Sequence, residues 1–281
     1  MQHKRDLLDI IRREAGAAAL LSIGQGIRDA EFDPMWRAAM RAPSPAVLLD
    51  KWRRMEVFGH SRNRLRIELT GRARASFSRY SVDGHSPPIA PENLLICGLV
   101  IALLEEIGCL GLYCEMPGAD GAALLIYDKR RFEVPGDGGE LATASWEIGW
   151  ATFAPRPAEA AAPEPPPIAL PVSCDARARA SIEAVTRLMA ADAGRRWKVG
   201  ELARDCGMST RSMQRRLGQG GLSFSKLVRA VRVHEACRLL TAGDASITMI
   251  GFCAGFSDSA QFSRDFRAST GMKPSAWRAI L

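Results

Sequence analysis

Apolar residues recur at helical spacing twice near the start of the chain. The first run opens at Asp6-Leu7-Leu8-Asp9-Ile10-Ile11, and the second covers Pro45 to Phe58, with Leu48, Leu49, Trp52 and Met55 on one face. Both predict amphipathic helices. The period then changes. Leu65–Thr70 and Ala73–Val82 alternate apolar and polar residues on either side of Gly71, which predicts two strands. Leu94 to Leu104 is apolar throughout, with Glu92 before it and Glu105-Glu106 after it. That run is too short to cross a bilayer and predicts a buried helix over 92–107. Leu110–Glu115, Ala122–Tyr127 and Trp146–Phe153 are further strand candidates. Two helices, a hairpin, a central helix and three strands describe an α+β domain over residues 1–153.

The periodicity stops at residues 154–171, APRPAEAAAPEPPPIALP, which hold seven of the sixteen prolines. With no apolar face and few backbone donors, such a stretch is expected to be extended and solvated. At about 3.1 Å per residue it reaches roughly 50 Å. It reads as a Pro-rich linker to a second domain, 172–281.

In that second domain one pattern is written twice. Leu202-Ala203-Arg204-Asp205-Cys206-Gly207-Met208-Ser209 leads into Thr210-Arg211-Ser212-Met213-Gln214-Arg215-Arg216-Leu217. Ile250-Gly251-Phe252-Cys253-Ala254-Gly255-Phe256-Ser257 leads into Asp258-Ser259-Ala260-Gln261-Phe262-Ser263-Arg264-Asp265-Phe266, with one extra residue after the bend. Each copy is an apolar helix start, a glycine at the bend, a capping side chain and a polar amphipathic helix. That is the pattern of a helix-turn-helix, whose second helix enters the DNA major groove. In the first copy Ser209 or Thr210 caps, Met213 and Leu217 face inward, and Thr210, Arg211, Gln214 and Arg215 face outward. Arg and Gln read guanine and adenine edges bidentately, while Arg216 and Lys226 are expected at phosphate. In the second copy Asp258 caps, Phe262 and Phe266 face inward, and Ser259, Gln261, Ser263 and Arg264 face outward with Arg267 nearby. This second surface is less cationic and is expected to contact mainly backbone. Ser223 to Ala242 predicts a linker helix of about 20 residues, roughly 30 Å long. One turn of B-DNA is about 34 Å, so the two recognition helices can enter successive major-groove segments. The second domain is all-α, with two helix-turn-helix motifs on a long linker helix.

Charge sharpens this division. Residues 171–281 carry 18 Lys+Arg against 9 Asp+Glu, a net +9, whereas residues 1–170 carry 20 against 22, a net −2. A basic segment beside a near-neutral one is the footprint of nucleic-acid binding. Seven cysteines, an odd number with no secretory signal, fit a reducing cytoplasm and no membrane.

Residues 195–281 resemble the DNA-binding domain of the AraC/XylS family of bacterial transcription regulators. The carriers are Leu202-Ala203…Cys206-Gly207-Met208-Ser209, Arg232…Ala236…Leu239-Leu240 and Ile247…Ile250-Gly251…Ala254-Gly255-Phe256-Ser257. The closing run Gln261-Phe262-Ser263-Arg264…Phe266…Gly271-Met272-Lys273-Pro274-Ser275-Ala276-Trp277-Arg278 carries it too. The resemblance implies binding to double-stranded promoter DNA and activation through RNA polymerase. It departs at Gly218, Gly220 and Gly221, which crowd the end of the first recognition helix, at Phe224 in place of a usual Pro, and at Gly251 in place of a usual Ala.

Residues 1–153 carry no comparable motif. By the resemblance they sense a small-molecule effector, respond to a partner protein or form a homodimer, and these alternatives stay open. Cys97, Cys109 and Cys114 are closely spaced without the spacing of a zinc site, and read better as core residues. His60 and His85 have no metal-like partner, and Ser22-Ile23-Gly24-Gln25-Gly26 is too short for a nucleotide loop. The Arg-rich stretch from Arg53 to Arg79 reads as a solvated strand face before an anion site. A rival reading, a cysteine-based alkyl-acceptor repair enzyme fused to a DNA-binding domain, needs a zinc-held thiol that the spacing does not support. The expectation is a non-enzymatic regulator with no catalytic residue, cofactor or metal.

Overall fold

The computed structural model describes residues 2–29, 39–58, 62–134, 141–155, 174–242 and 245–279, together with 167, 170 and 171. They form two compact units, one from the first 157 residues and the other mainly from residue 158 onward. His60 and most of the Pro-rich stretch lie outside the described residues.

In the first unit, α1 (Gln2–Gln25) and α2 (Pro45–Phe58) arise from the two helical patterns. Gly16 interrupts α1 with φ 80°, a conformation that side chains with a Cβ rarely adopt. A 3-10 turn, Gly26–Asp29, follows it and takes in the end of the glycine-bearing run at Ser22. β1 (Asn63–Leu69) and β2 (Arg74–Ser81) form the expected hairpin, with Ile67 opposite Phe77. α3 (Ala90–Glu106) is the buried helix.

Two of the later strand candidates are each cut in two. In place of one strand over Leu110–Glu115 there are β3 (Cys109–Leu110) and β4 (Tyr113–Pro117). Gly111 turns the chain between them at φ 61°. After β5 (Ala123–Asp128) and the short β6 (Arg131–Phe132), the stretch Trp146–Phe153 divides into β7 (Ser145–Gly149) and β8 (Thr152–Phe153). The physical reason is pairing. β3 and β8 bond to each other as a separate small sheet, Cys109 opposite Phe153, whereas the other strands form one antiparallel sheet in the order β1-β2-β7-β4-β5-β6.

Alternate residues of the large sheet, among them Ile67, Phe77, Met116, Trp146 and Ile148, are buried on one face. Phe77 and Trp146 stack there at 5.8 Å. α3 lies on this face: Cys97 Sγ is 3.7 Å from Cys114 Sγ, and Tyr127 donates its hydroxyl proton to Glu105 at 2.8 Å. α1 covers the other side of α3, crossing at Gly24 and Gly98. A Cβ on Gly98 would run into the Leu21 carbonyl, and one on Gly24 into the Leu95 carbonyl. A helix sandwiched between sheet and helix needs no polar face, which accounts for its continuous apolar run.

The arginines between 53 and 79 are not simply a solvated face. Arg66 is exposed, but Arg79 is buried against Glu56 at 3.5 Å, and Arg54 is buried beside Asp50 at 3.2 Å. Glu56 also accepts the Leu65 amide at 2.9 Å, and Arg53 donates to the Ile67 carbonyl. Side chains of α2 thereby occupy backbone groups that edge strand β1 turns away from β2, which blunts the edge against further strand pairing. Burial pushes the Glu56 carboxyl above the usual range, against the pull of its Leu65 and Arg79 partners.

Among its described residues the second unit has helices and no strand: α4 (Ala176–Ala191), α5 (Val199–Asp205), α6 (Thr210–Gln219), α7 (Phe224–Ala242), α8 (Ile247–Cys253), α9 (Ser259–Thr270) and α10 (Pro274–Arg278). α4 is absent from the sequence reading. Asp175 caps it, accepting the Ala178 amide at 2.7 Å, and Ile182, Val185 and Met189 supply its buried face. These pack with Leu202, Met213, Leu217, Leu227 and Val231 into one core.

Candidate nucleic-acid interface

Each half of the second unit is a helix, a glycine bend and a second helix. In the first, Gly207 takes φ 63°, and open space surrounds the position of its missing Cβ. Its requirement is conformational alone. The bend returns two amides to the end of α5, Gly207 to the Arg204 carbonyl and Met208 to the Ala203 carbonyl. Ser209 is the cap, accepting the Ser212 amide at 3.2 Å. That settles the choice left open between Ser209 and Thr210.

Met213 and Leu217 are buried in the core with Leu202 and Ala203. The helical period therefore turns Thr210, Arg211, Gln214 and Arg215 outward, and all four are exposed. Lys226, at the start of α7, is exposed as well. Arg216 lies differently. It is half-buried, and its Nη1 donates to Ser181 Oγ of α4 at 2.7 Å, so it fastens α6 to α4. The glycines after this helix do not shorten it. α6 runs to Gln219, and Gly220 follows where a Cβ would press on the Ile182 side chain.

In the second half the bend glycine has two reasons to be glycine. Gly255 takes φ 90°, and a Cβ there would run into the Ala193 carbonyl. The extra residue places the cap at Asp258, which accepts the Gln261 amide at 2.7 Å. That amide holds the Asp258 carboxyl below the usual carboxylate range. Phe256, Phe262 and Phe266 are buried, in a chain of ring contacts at 4.9 and 5.6 Å that ends on Trp277 at 5.8 Å. Edge and tilted contacts of this kind add to the burial of the rings themselves.

Ser263, Arg264 and Arg267 are exposed on α9, and Ser259 is half-exposed. Gln261 is half-buried, and its Oε1 accepts the Ser257 amide at 3.0 Å and the Ser257 hydroxyl at 2.6 Å. Ala260, in the first turn of α9, is exposed and is absent from the sequence reading. The turning back of Gln261 had a signal in the sequence, since a capping Asp followed three residues later by Gln is close to a capping box.

α7 joins the two halves with 19 residues, a rod of about 28 Å. Inside it, Glu235 is buried and pairs with Arg238 at 2.7 Å.

No group of three or more His, Cys, Asp and Glu that could hold a metal occurs among the described residues. Burial raises the Cys109 thiol to about 12 and the Cys114 thiol well above its ordinary value, which suits core packing and opposes nucleophilic use. His85 is exposed on the turn after β2, where its amide donates to Asp83 at 3.0 Å. No described helix is long and apolar enough to cross a membrane.

Residues 202–280 match a protein family described as "Helix-turn-helix domain". Over 92 residues the chain is 29% identical to the HTH-type transcriptional activator FapR of Escherichia coli, covering 33% of this chain and 35% of that protein. Over 94 residues it is 34% identical to the ornithine utilization regulator of Pseudomonas aeruginosa, covering 34% of this chain and 28% of that protein. Among solved structures it is similar to a transcriptional regulator (AraC-type DNA-binding domain-containing proteins) from Chromobacterium violaceum. That likeness has 28% identity and a TM-score of 0.36, and covers 37% of this chain and 95% of that one. The chain spans about a third of the length of these curated relatives. Residues 202–280 are an AraC-type helix-turn-helix domain.

Proposed function

We propose that this chain, carrying an AraC-type domain over residues 202–280, is a sequence-specific DNA-binding transcriptional regulator that activates promoters. Its work is binding, without a chemical step, and it is done in the cytoplasm on double-stranded DNA. The observation that carries the reading is the doubled bend. Two capped recognition helices project from one chain, joined by a 19-residue helix whose length of about 28 Å approaches one turn of B-DNA.

Thr210, Arg211, Gln214 and Arg215 form the stronger base-reading set, with Lys226 at phosphate. Ser259, Ser263, Arg264 and Arg267 form the weaker one. Arg216 reaches phosphate only with the part of its guanidinium left over from Ser181. Contact with RNA polymerase follows from the AraC/XylS resemblance and from relatives named as activators. The first unit receives the signal or joins two protomers, and its separate core supports such an independent role.

Footprinting of the full chain on DNA selected from random sequence tests this. Protection of two successive major-groove segments on one face of the duplex is expected. Equal binding to every sequence, or protection of a single segment, would refute it.

A further inference from the structure

Aligned on their capping residues, the two recognition helices present unequal surfaces. Ser209 and Asp258 are the caps of α6 and α9. Counted from them, Thr210, Arg211, Gln214 and Arg215 correspond to Ser259, Ala260, Ser263 and Arg264, while buried Met213 and Leu217 correspond to buried Phe262 and Phe266. The third position is Ser212 in one helix and Gln261 in the other, and both are turned into the cap. Ser212 bonds Ser209 through its amide and its hydroxyl, and Gln261 bonds Asp258 through its amide and Ser257 through Oε1.

A glutamine reads adenine by accepting from N6 and donating to N7 at once. The Oε1 of Gln261 already takes two donors, at 3.0 and 2.6 Å, so the accepting half of that readout is occupied. The first two turns of α9 therefore present Ser259, Ala260 and Ser263. All are short, so α9 can approach the base edges more closely than α6, whose matching positions hold Arg211 and Gln214. Alanine has no polar group to offer a base. The contact open to it is apolar, with the C5 methyl of thymine.

We infer that Ala260 is a specificity-determining residue of the second recognition helix, packing its methyl on a thymine methyl. Gln261 is a positioning residue that holds the first turn of α9 through Ser257 and reads no base. The inference rests on the DNA-reading function proposed above.

The test uses the full-length protein and a duplex recovered by selection from random sequence. Each thymine in the site is replaced in turn by uracil, which lacks only the methyl, and Kd is measured for wild type and for Ala260→Gly. At one position in the segment contacted by α9, uracil should weaken wild type about fourfold, the worth of one buried methyl. It should leave Ala260→Gly unchanged. Comparing the two duplexes within each protein cancels any general weakening caused by glycine in the helix. Gln261→Ala should select the same sequence as wild type while binding all sites more weakly. Ser257→Ala should weaken binding in the same uniform way, and the two losses should not add. The assignment is overturned if no uracil penalty disappears in Ala260→Gly, or if Gln261→Ala changes the selected bases. Failure of wild type to select any sequence would be a different result, which removes the DNA-reading function and this assignment together.

Discussion

Arg229 Nε lies 3.3 Å from Asp265 Oδ1, an ion pair that ties the second recognition helix to the helix joining the two halves. Asp265 is the seventh residue after its cap, the position that Arg216 holds in the first recognition helix. There Arg216 bonds Ser181. Both recognition helices are fastened to a neighbouring helix of the second unit from the same position, by side chains of opposite charge.

Asp265→Asn should therefore change how the protein treats DNA more than how stably it folds. The pair is partly exposed, so the stability loss should stay within about 1 kcal/mol. Removing the carboxylate takes away repulsion from phosphate and releases Arg229. Affinity for arbitrary DNA should rise, and the slope of log K against log salt should steepen by about one. Competition binding at several salt concentrations checks this, and an unchanged slope would show that Arg229 stays away from the backbone.

Arg215 and its neighbour Arg216 should separate by assay. Arg215→Ala is expected to cost about 1–3 kcal/mol at the selected site and to relax preference at one base position. Arg216→Ala should weaken all sequences alike and also lower the melting temperature, because it removes the bond to Ser181. Equal melting temperatures for the two variants would contradict the placement of Arg216.

The two bend glycines should differ in tolerance. Gly207→Ala meets open space and should cost about 1–2 kcal/mol, the penalty of a left-handed residue with a Cβ. Gly255→Ala adds a collision with the Ala193 carbonyl and should cost more, with loss of binding. Denaturant unfolding of both variants provides the measurement.

Tyr127 supplies a pH prediction. Burial, and then its hydrogen bond to Glu105, raise the phenol to about 12. An unfolded tyrosine ionises near pH 10. Between these values the unfolded chain gives up a proton that the folded chain keeps, so stability falls as pH rises through that window. Ultraviolet titration should show tyrosinate appearing towards pH 12, and Tyr127→Phe should remove that component.

Residues 172–281 alone should bind the selected DNA with the footprint of one protomer, because both recognition helices and their spacer lie within them. A truncated chain that protects none of the sites bound by the full protein would place part of the interface in residues 1–171.

Much of the second unit is legible because its determinants are local. A glycine at each bend, a capping Ser or Asp, and apolar residues four apart at Met213 and Leu217 or Phe262 and Phe266 fix the helices and their faces within a few residues. α4 was legible on the same terms, from Asp175 and the spacing of Ile182, Val185 and Met189, yet it stands outside the doubled pattern that draws attention. Gln261 is half-buried where the sequence reading turns it outward, because helical periodicity gives a direction only to within a side chain's reach. The cap bent that side chain back to Ser257.

The sequence by itself determined the two helix-bend-helix patterns, the cap at Asp258, the length of the rod between them, and the burial of α3. Only the tertiary structure decided that β3 pairs with β8 across some forty residues, and that β7 enters the large sheet between β2 and β4. It also decided that Arg79 lies buried against Glu56 and that Arg216 is held by Ser181. Capping and helical period act between residues a turn apart and leave a mark in the local sequence. Strand order and buried ion pairs join residues distant in sequence, and partners of that kind are chosen by the packing of the whole unit.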